Sequence, residues 1–400
     1  MSPYARGVTD RQTSAPSASL SRIALEWSRI GVTGFGGPPA HIALLRKLCV
    51  DKYGWIEPRE FEDAIAATNL LPGPASTQLA IFCAWRLRGP LGGILGGICF
   101  ILPGLILIVL LSALFLAEHP PLWILGAAAG AGATVPAIAI QAGAGLIPAS
   151  WRRAGTVRAP RIRWVVYLLI GGLAGATAGT YLVLVLIAIG LVEVASRRDW
   201  RRQPPQATPS ILIPLLVPAI SVTGFAALAW VALKVGALSY GGGFVIIPLM
   251  QHDAVSTYHW MTNAQFLNAV ALGQVTPGPV VLTVAAVGYA AAGIAGAGFA
   301  TLIAFAPSFL FVLIGGRHFD RLRGNLTIQA FLTGAGATVI GAIIGSAVPL
   351  GLSITQWWQV AVLALALIWL LALRRGVVPA IVGGAVLGVV AVLIGLPTPQ

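Results

Sequence analysis

The stretch NLLPGPASTQ, Asn69–Gln78, sets two prolines around a glycine inside a run of otherwise apolar, helix-forming residues. Proline removes a helix donor and clashes with the preceding turn, and glycine permits backbone angles closed to other residues, so a helix must break here. A second stretch of the same design, LGQVTPGPVV, runs from Leu272 to Val281. What a break of this kind means depends on the solvent around it.

That solvent is a bilayer. With 57% hydrophobic residues, 9% charged residues and a mean hydropathy of +0.88, 400 residues cannot hide their apolar surface in one water-soluble core. Segments such as Pro90–Ala117 and Leu122–Ile147 exceed the ~20 apolar residues that cross the hydrocarbon. The chain therefore reads as an all-α polytopic membrane protein. Its net charge of +13 sits in short clusters between apolar segments, as cytoplasmic retention of Lys and Arg predicts, and gives no case for nucleic acid. Cys49, Cys83 and Cys99 have no metal spacing and read as packing residues. No Walker loop, nucleophile elbow or metal cluster appears, so we expect neither an enzyme nor a cofactor.

Shifting the chain by 205 residues lays Gly31–Pro74 over Gly236–Pro279 without a gap, with 14 identities in 44 positions. They include Tyr53-x-Trp55 over Tyr258-x-Trp260, Phe61 over Phe266 and both Pro-Gly-Pro turns, which low complexity alone would not align. Lys and Arg positions then give orientation. Arg46, Lys47, Lys52, Arg59, Arg86 and Arg88 mark loops of the first half as cytoplasmic; their counterparts carry neither residue, and Arg317, Arg321 and Arg323 decorate the opposite loop. The second repeat is therefore inverted, and an extra crossing at Ile211–Ala227 would flip it. The predicted layout is a cytoplasmic tail (1–21), a first repeat (22–202), a linker with one helix (203–228) and an inverted second repeat (229–400). The N-terminus is inside and the C-terminus outside. The charge rule also splits Trp164–Ala195 at GGLAGATAG, with a matching break at Arg374-Arg375-Gly376.

Each repeat carries two breaks, at Phe35-Gly36-Gly37-Pro38-Pro39 and Pro72-Gly73-Pro74, and at Tyr240-Gly241-Gly242-Gly243 and Pro277-Gly278-Pro279. Non-helical backbone at membrane depth survives only when buried in protein or lining a cavity. Both ends of residues 57–88 are cytoplasmic by charge, so this segment should enter and return with its Pro-Gly-Pro at the tip. Half-helix N-termini at such tips direct N–H groups and partial positive charge toward an anion. Asn69, Thr77 and Gln78 flank one tip, Gln274 and Thr276 the other. Arg29 and Lys234, related by the same shift, are candidate cations, and His41 a candidate donor. The bland readings are packing kinks, snorkelling cations and a satisfied structural histidine. Asp253 reads as solvated.

FGGPPAHIALLRK, NLLPGPASTQLAI and CFILPG in the first half, with YGGGFVIIPLM and LGQVTPGPV in the second, resemble the signatures of the chromate ion transporter family in its two-domain form. Tyr240 and Asp253 depart mildly from the family pattern, which favours Phe and Glu there. The resemblance implies an inner-membrane transporter that exports chromate and confers resistance to it, with some relatives linked to sulfate. Gly36, Gly37, His41, Asn69, Gly73, Gln78, Gly241, Gly242, Gln274, Thr276 and Gly278 lie in the matched motifs, and with Arg29, Thr77 and Lys234 from the residue reading above they are the candidate substrate contacts. Pro38, Pro72, Pro74, Pro277 and Pro279 are the helix breaks. The membrane potential would favour a dianion leaving the cell by ~2.3 kcal/mol per charge per 100 mV. A sulfate carrier, an anion channel and an enzyme acting on lipid phosphates are the competing readings. The small-xxx-small pairs Gly92/Gly96, Gly93/Gly97, Gly341/Gly345 and Gly384/Gly388 suit close helix packing, within the chain or in a homodimer.

Overall fold

Glycine and proline mark the principal breaks between the helices of this protein in the computed structural model, although Pro103, Pro148 and Pro307 lie within helices. The structure describes residues 18–68, 71, 73–117, 120–177, 181–197, 224–239, 246–315 and 326–397. The first half contains α1 (Leu20–Thr33), α2 (Gly37–Arg46), α3 (Pro58–Thr68), α4 (Ala75–Phe115), α5 (Leu122–Ala133), α6 (Val135–Arg153), α7 (Arg158–Thr177) and α8 (Leu182–Arg197). The second contains α9 (Phe225–Leu238), α10 (Ile246–Gln251), α11 (Asn263–Val275), α12 (Thr283–Gly315), α13 (Leu326–Gly345), α14 (Ala347–Leu352), α15 (Trp357–Leu367) and α16 (Val377–Leu393). Among the described residues there is no strand. The linker helix expected at Ile211–Ala227 lies outside the described residues up to 223.

α1 and α2 form a hairpin. Gly36 and Gly37 take φ of +101° and +71° at its tip, a left-handed pair that side chains resist. At its base the Lys52 ammonium donates to Glu26 at 3.1 Å, Tyr53 donates to the same carboxylate at 2.7 Å, and Arg22 donates to Tyr53. A second hairpin joins α3 to the start of α4, with the Pro-Gly-Pro between them; Arg86 pairs with Glu60, tying the open ends of its arms together. Both ends therefore lie on one side, as a segment that enters and returns requires. α4 then reverses at Arg88 and Gly89, where φ and ψ of 60° and −155° at the glycine leave the helical region. Gly92 and Gly96 pack back on Ala84. The outgoing arm shows Leu91, Ile94, Ile98, Leu102, Ile106 and Leu110 to the outside at helical spacing, an apolar stripe that belongs against lipid.

The second half repeats the plan. α12 reverses at Ala292 and Gly293, the latter with φ of 61° and ψ of −151°, and Gly296 packs back on Gly288. After the Pro-Gly-Pro turns the repeat offset drops from 205 to 204, matching Gly89 to Gly293 and Pro103 to Pro307. The halves pack through bare backbone. Gly171 and Gly175 of α7 meet Thr338 and Ala342 of α13, and Gly126 and Gly130 of α5 meet Gly388 and Gly384 of α16. Of GGLAGATAG, where a break is predicted, residues 171–177 are still helical in α7 and α8 begins at Leu182, with 178–180 outside the described residues; the counterpart break separates α15 from α16, with Arg374 at φ of 52°. Among the described residues, four helical stretches are long and apolar enough to cross a membrane: Ala75–Phe115, Leu122–Arg153, Val280–Gly315 and Leu326–Leu352.

Candidate functional site

Each Pro-Gly-Pro tip lodges in the opposite repeat. Gly73, with φ of +118°, has no room for a side chain: a methyl there would stand 2.6 Å from Gln78 Nε2, 3.0 Å from Ser308 Oγ and 3.5 Å from the Gly236 carbonyl. Two of these atoms belong to the second half. Gly278, with φ of +109°, donates its N–H to the Gly34 carbonyl at 3.0 Å. The Pro277 carbonyl occupies the place that a side chain on Gly104 would take. Gly104 and Ser308 are counterparts at the 204-residue offset, so the two dockings are one contact made twice.

Beside the first tip the Gly34 carbonyl accepts a second hydrogen bond, from His41 Nε2 at 2.9 Å. A carbonyl only accepts, so Nε2 carries the proton and Nδ1 of the neutral ring accepts from the Ser76 hydroxyl at 3.2 Å. Phe100 closes over the ring edge-on, with centroids 5.1 Å apart. His41, Ser76, Thr77 and Gln78 are fully or almost fully buried, and the last three occupy the first turn of α4, where the helix dipole is positive. Pro74 caps that turn, its carbonyl accepting from the N–H groups of Thr77 and Gln78.

Polar groups are unevenly shared between the tips. Val280, Val281 and Leu282 follow the second one, where Ser76 and Thr77 follow the first. Thr276 and Thr283 spend their hydroxyls on the Leu272 and Val280 carbonyls. By contrast Thr77 Oγ1, Ser239 Oγ, Ser308 Oγ and Gln274 Nε2 are buried without a hydrogen-bond partner among the described residues. Buried polar atoms normally find partners, so a set of orphaned donors around two helix breaks is the mark of a ligand or water site. Gly37 lies 3.9 Å, measured from its absent Cβ, from Val280, and Pro38 opens α2. Pro279 precedes the short turn Val280–Leu282. Asn69, Pro72, Gly241 and Gly242 lie outside the described residues.

Neither candidate cation is a free charge at the tips. Arg29 is exposed on α1, whose buried stripe is Ile23, Trp27 and Ile30. Lys234 donates to Asp253 at 2.5 Å, with side-chain exposures of 12% and 7%, and lies 5.5 Å from the Trp230 ring. Asp253, expected in solvent, is buried because it occupies the place of buried Leu48 in the first repeat. Lys234–Asp253 thus ties α9 to the turn after α10, as Glu26–Lys52 ties the first hairpin, with the signs exchanged between the arms.

Sequence reasoning missed Ser308 and Ser239. Ser239 follows from the 205-residue register, as the partner of Gly34. The one-residue change of offset hides Ser308, which emerges only when Pro307 is set on Pro103.

The family model described as chromate transporter matches residues 21–194 and again 226–389. The chromate transport protein of Cupriavidus metallidurans is 31% identical over 387 residues, covering 94% of each chain. That of Pseudomonas aeruginosa is 31% identical over 358 residues, 84% of this chain and 82% of the relative. An uncharacterized transporter of Methanocaldococcus jannaschii is 24% identical over 389 residues, 92% of each. No solved structure matches.

Proposed function

The chain belongs to the chromate transporter family, and from that premise we propose that it carries chromate across the membrane, exporting it from the cytoplasm. The observation that carries the proposal is the set of buried, unpartnered neutral donors at the first tip, Thr77 and Ser308 foremost. A tetrahedral oxyanion presents acceptors in every direction and matches hydroxyl, amide and N–H donors. The positive end of α4 adds favourable potential without a fixed cation. Gln78, Gly73 and Gln274 complete the cradle we assign, and the glycines of the first break admit backbone close to the ion.

The lodging of each tip in the opposite repeat supports alternating access: movement of one repeat against the other would open the cradle to one side and close it to the other. We place the protein in the inner membrane of a bacterial-type cell, N-terminus inside and C-terminus outside. Outward movement is then favoured by the membrane potential, and chromate resistance follows. The test is chromate accumulation in cells expressing the wild type, Thr77→Val or Ser308→Ala. Each removes one hydroxyl, and about 1.5–3 kcal/mol per lost hydrogen bond to a charged group predicts roughly a ten- to hundredfold loss of apparent affinity. Wild-type export in both variants would remove the cradle. Everted vesicles that accumulate chromate equally with the potential collapsed would remove the driving force.

A further inference from the structure

The cradle lacks a fixed positive charge among the described residues, yet it holds one group able to acquire one. His41 is fully buried between the Gly34 carbonyl, the Ser76 hydroxyl and the Phe100 ring. The elements packed on it, α1, α2 and both arms of α4, present no charged side chain to it among its described contacts. Lys234 is neutralised by Asp253, and Arg29 is exposed.

We propose that His41 binds the proton that travels with the oxyanion, making the protein a proton-coupled carrier; this rests on the oxyanion cradle assigned above. The mechanism is the direction of one hydrogen bond. In the neutral ring Nε2 donates to Gly34, so Nδ1 accepts and the Ser76 O–H is held toward histidine. When Nδ1 takes up a proton it becomes a donor, and Ser76 Oγ can only accept from it. The hydroxyl hydrogen must then turn away from the ring, within the first turn of α4, where the unpartnered Thr77 hydroxyl also lies. One proton thus gives the cradle a positive charge and an additional donor together. Loss of that proton withdraws both. Binding of proton and oxyanion is mutually favourable, so the two move in the same direction. Net charge per dianion falls from two to one, and an inside-negative potential still favours the outward step.

The same hydrogen bonds place His41 at the junction of the repeats. Its Nε2 shares the Gly34 carbonyl with the Gly278 N–H of the opposite tip. A charged ring is the stronger donor, so protonation also reaches the contact between the tips.

The decisive measurement is proton movement with chromate in proteoliposomes holding an internal pH dye, at mildly alkaline pH where free chromate is the dianion. Wild-type protein should move about one proton per chromate. Substitution His41→Gln keeps a donor for Gly34 and an acceptor for Ser76 but cannot take up a proton. It should carry chromate more slowly, with proton movement reduced at least tenfold per chromate. Ser76→Ala should keep the coupling ratio and raise the chromate concentration for half-maximal rate. Wild-type chromate flux with no accompanying proton would overturn the proposal, whatever the variants do. So would His41→Gln with an unchanged proton ratio. Failure of the wild type to move chromate at all would overturn the transport reading instead.

Discussion

Replacing Lys234 by methionine separates the two roles open to that residue, a charge for the transported anion or one half of a clamp. The ammonium lies 2.5 Å from Asp253, and the two side chains keep 12% and 7% of their exposure, so little water screens them. Removing one partner of a pair this dry costs about 3–5 kcal/mol, because the other is left charged and buried. Removing both, as Lys234→Met with Asp253→Leu, returns the site to the apolar character of its counterpart around Leu48 and should recover most of that loss. The Glu26–Lys52 pair gives the contrast: Lys52 is 48% exposed, so water screens its charge and its loss should shift the melt far less than loss of Lys234. Thermal melts of the purified protein in detergent, with chromate accumulation in the same cells, read both quantities. The clamp predicts destabilised single variants and a double variant that melts near the wild type and still exports. A double variant that melts normally but cannot export would refute it, and would return Lys234 to the substrate.

Four further outcomes follow from the geometry. Gly73→Ala adds left-handed strain of ~1–2 kcal/mol and also drives a methyl into Gln78 and Ser308, so transport should fall well over tenfold. Gly278→Ala carries similar strain but meets nothing nearer than Leu282 at 3.3 Å, and initial rates should show the milder defect. Single cysteines at Glu60 and Arg86 should react with a membrane-impermeant thiol reagent from the same face; labelling from opposite faces would rule out the entering-and-returning hairpin. Arg29→Ala should leave chromate accumulation at the wild-type level, because the side chain is exposed on α1.

Backbone features of this fold were legible in the residues because they depend on local chemistry. A Pro-Gly-Pro in an apolar run cannot be helical, and the repeated Tyr-x-Trp forms stacked ring pairs at 4.3 Å and 4.7 Å in the two halves. The register also held the burial of Asp253, since it puts that acid where Leu48 stands. Reading each residue singly passed over it. Arg29 is the converse case. Its alignment with Lys234 suggested equal roles, but the spacing of Ile23, Trp27 and Ile30 already turns the buried face of α1 away from it. Ser308 was hidden for a different reason: the repeat loses one residue after the tips, so a fixed offset compares Ser308 with Pro103 instead of Gly104.

That last exchange bears on how a duplicated, inverted chain would hold the single anion proposed above. Perfect symmetry would build two equal cradles, one on each tip, facing opposite ways. Here the contact between tip and opposite repeat is kept twice, by Gly73 with Ser308 and by Pro277 with Gly104, while the hydroxyls that follow the first tip are not repeated after the second. Glycine at 104 lets the second tip press backbone against backbone; serine at 308 sets a hydroxyl against the first. Valines and leucine after Pro279 dry the second tip, and Ser76, Thr77 and Gln78 after Pro74 furnish the first with donors. With the oxyanion seated at the first tip as proposed, the second is the mechanical half of the pair. It is coupled through Gly278 to Gly34, and so to His41. Gly104→Ser isolates that division of labour. The added side chain displaces Pro277 without touching a donor of the cradle, so export should slow while chromate half-saturation stays near the wild-type value. A rise in half-saturation with an unchanged maximal rate would show that the second tip holds the ion as well.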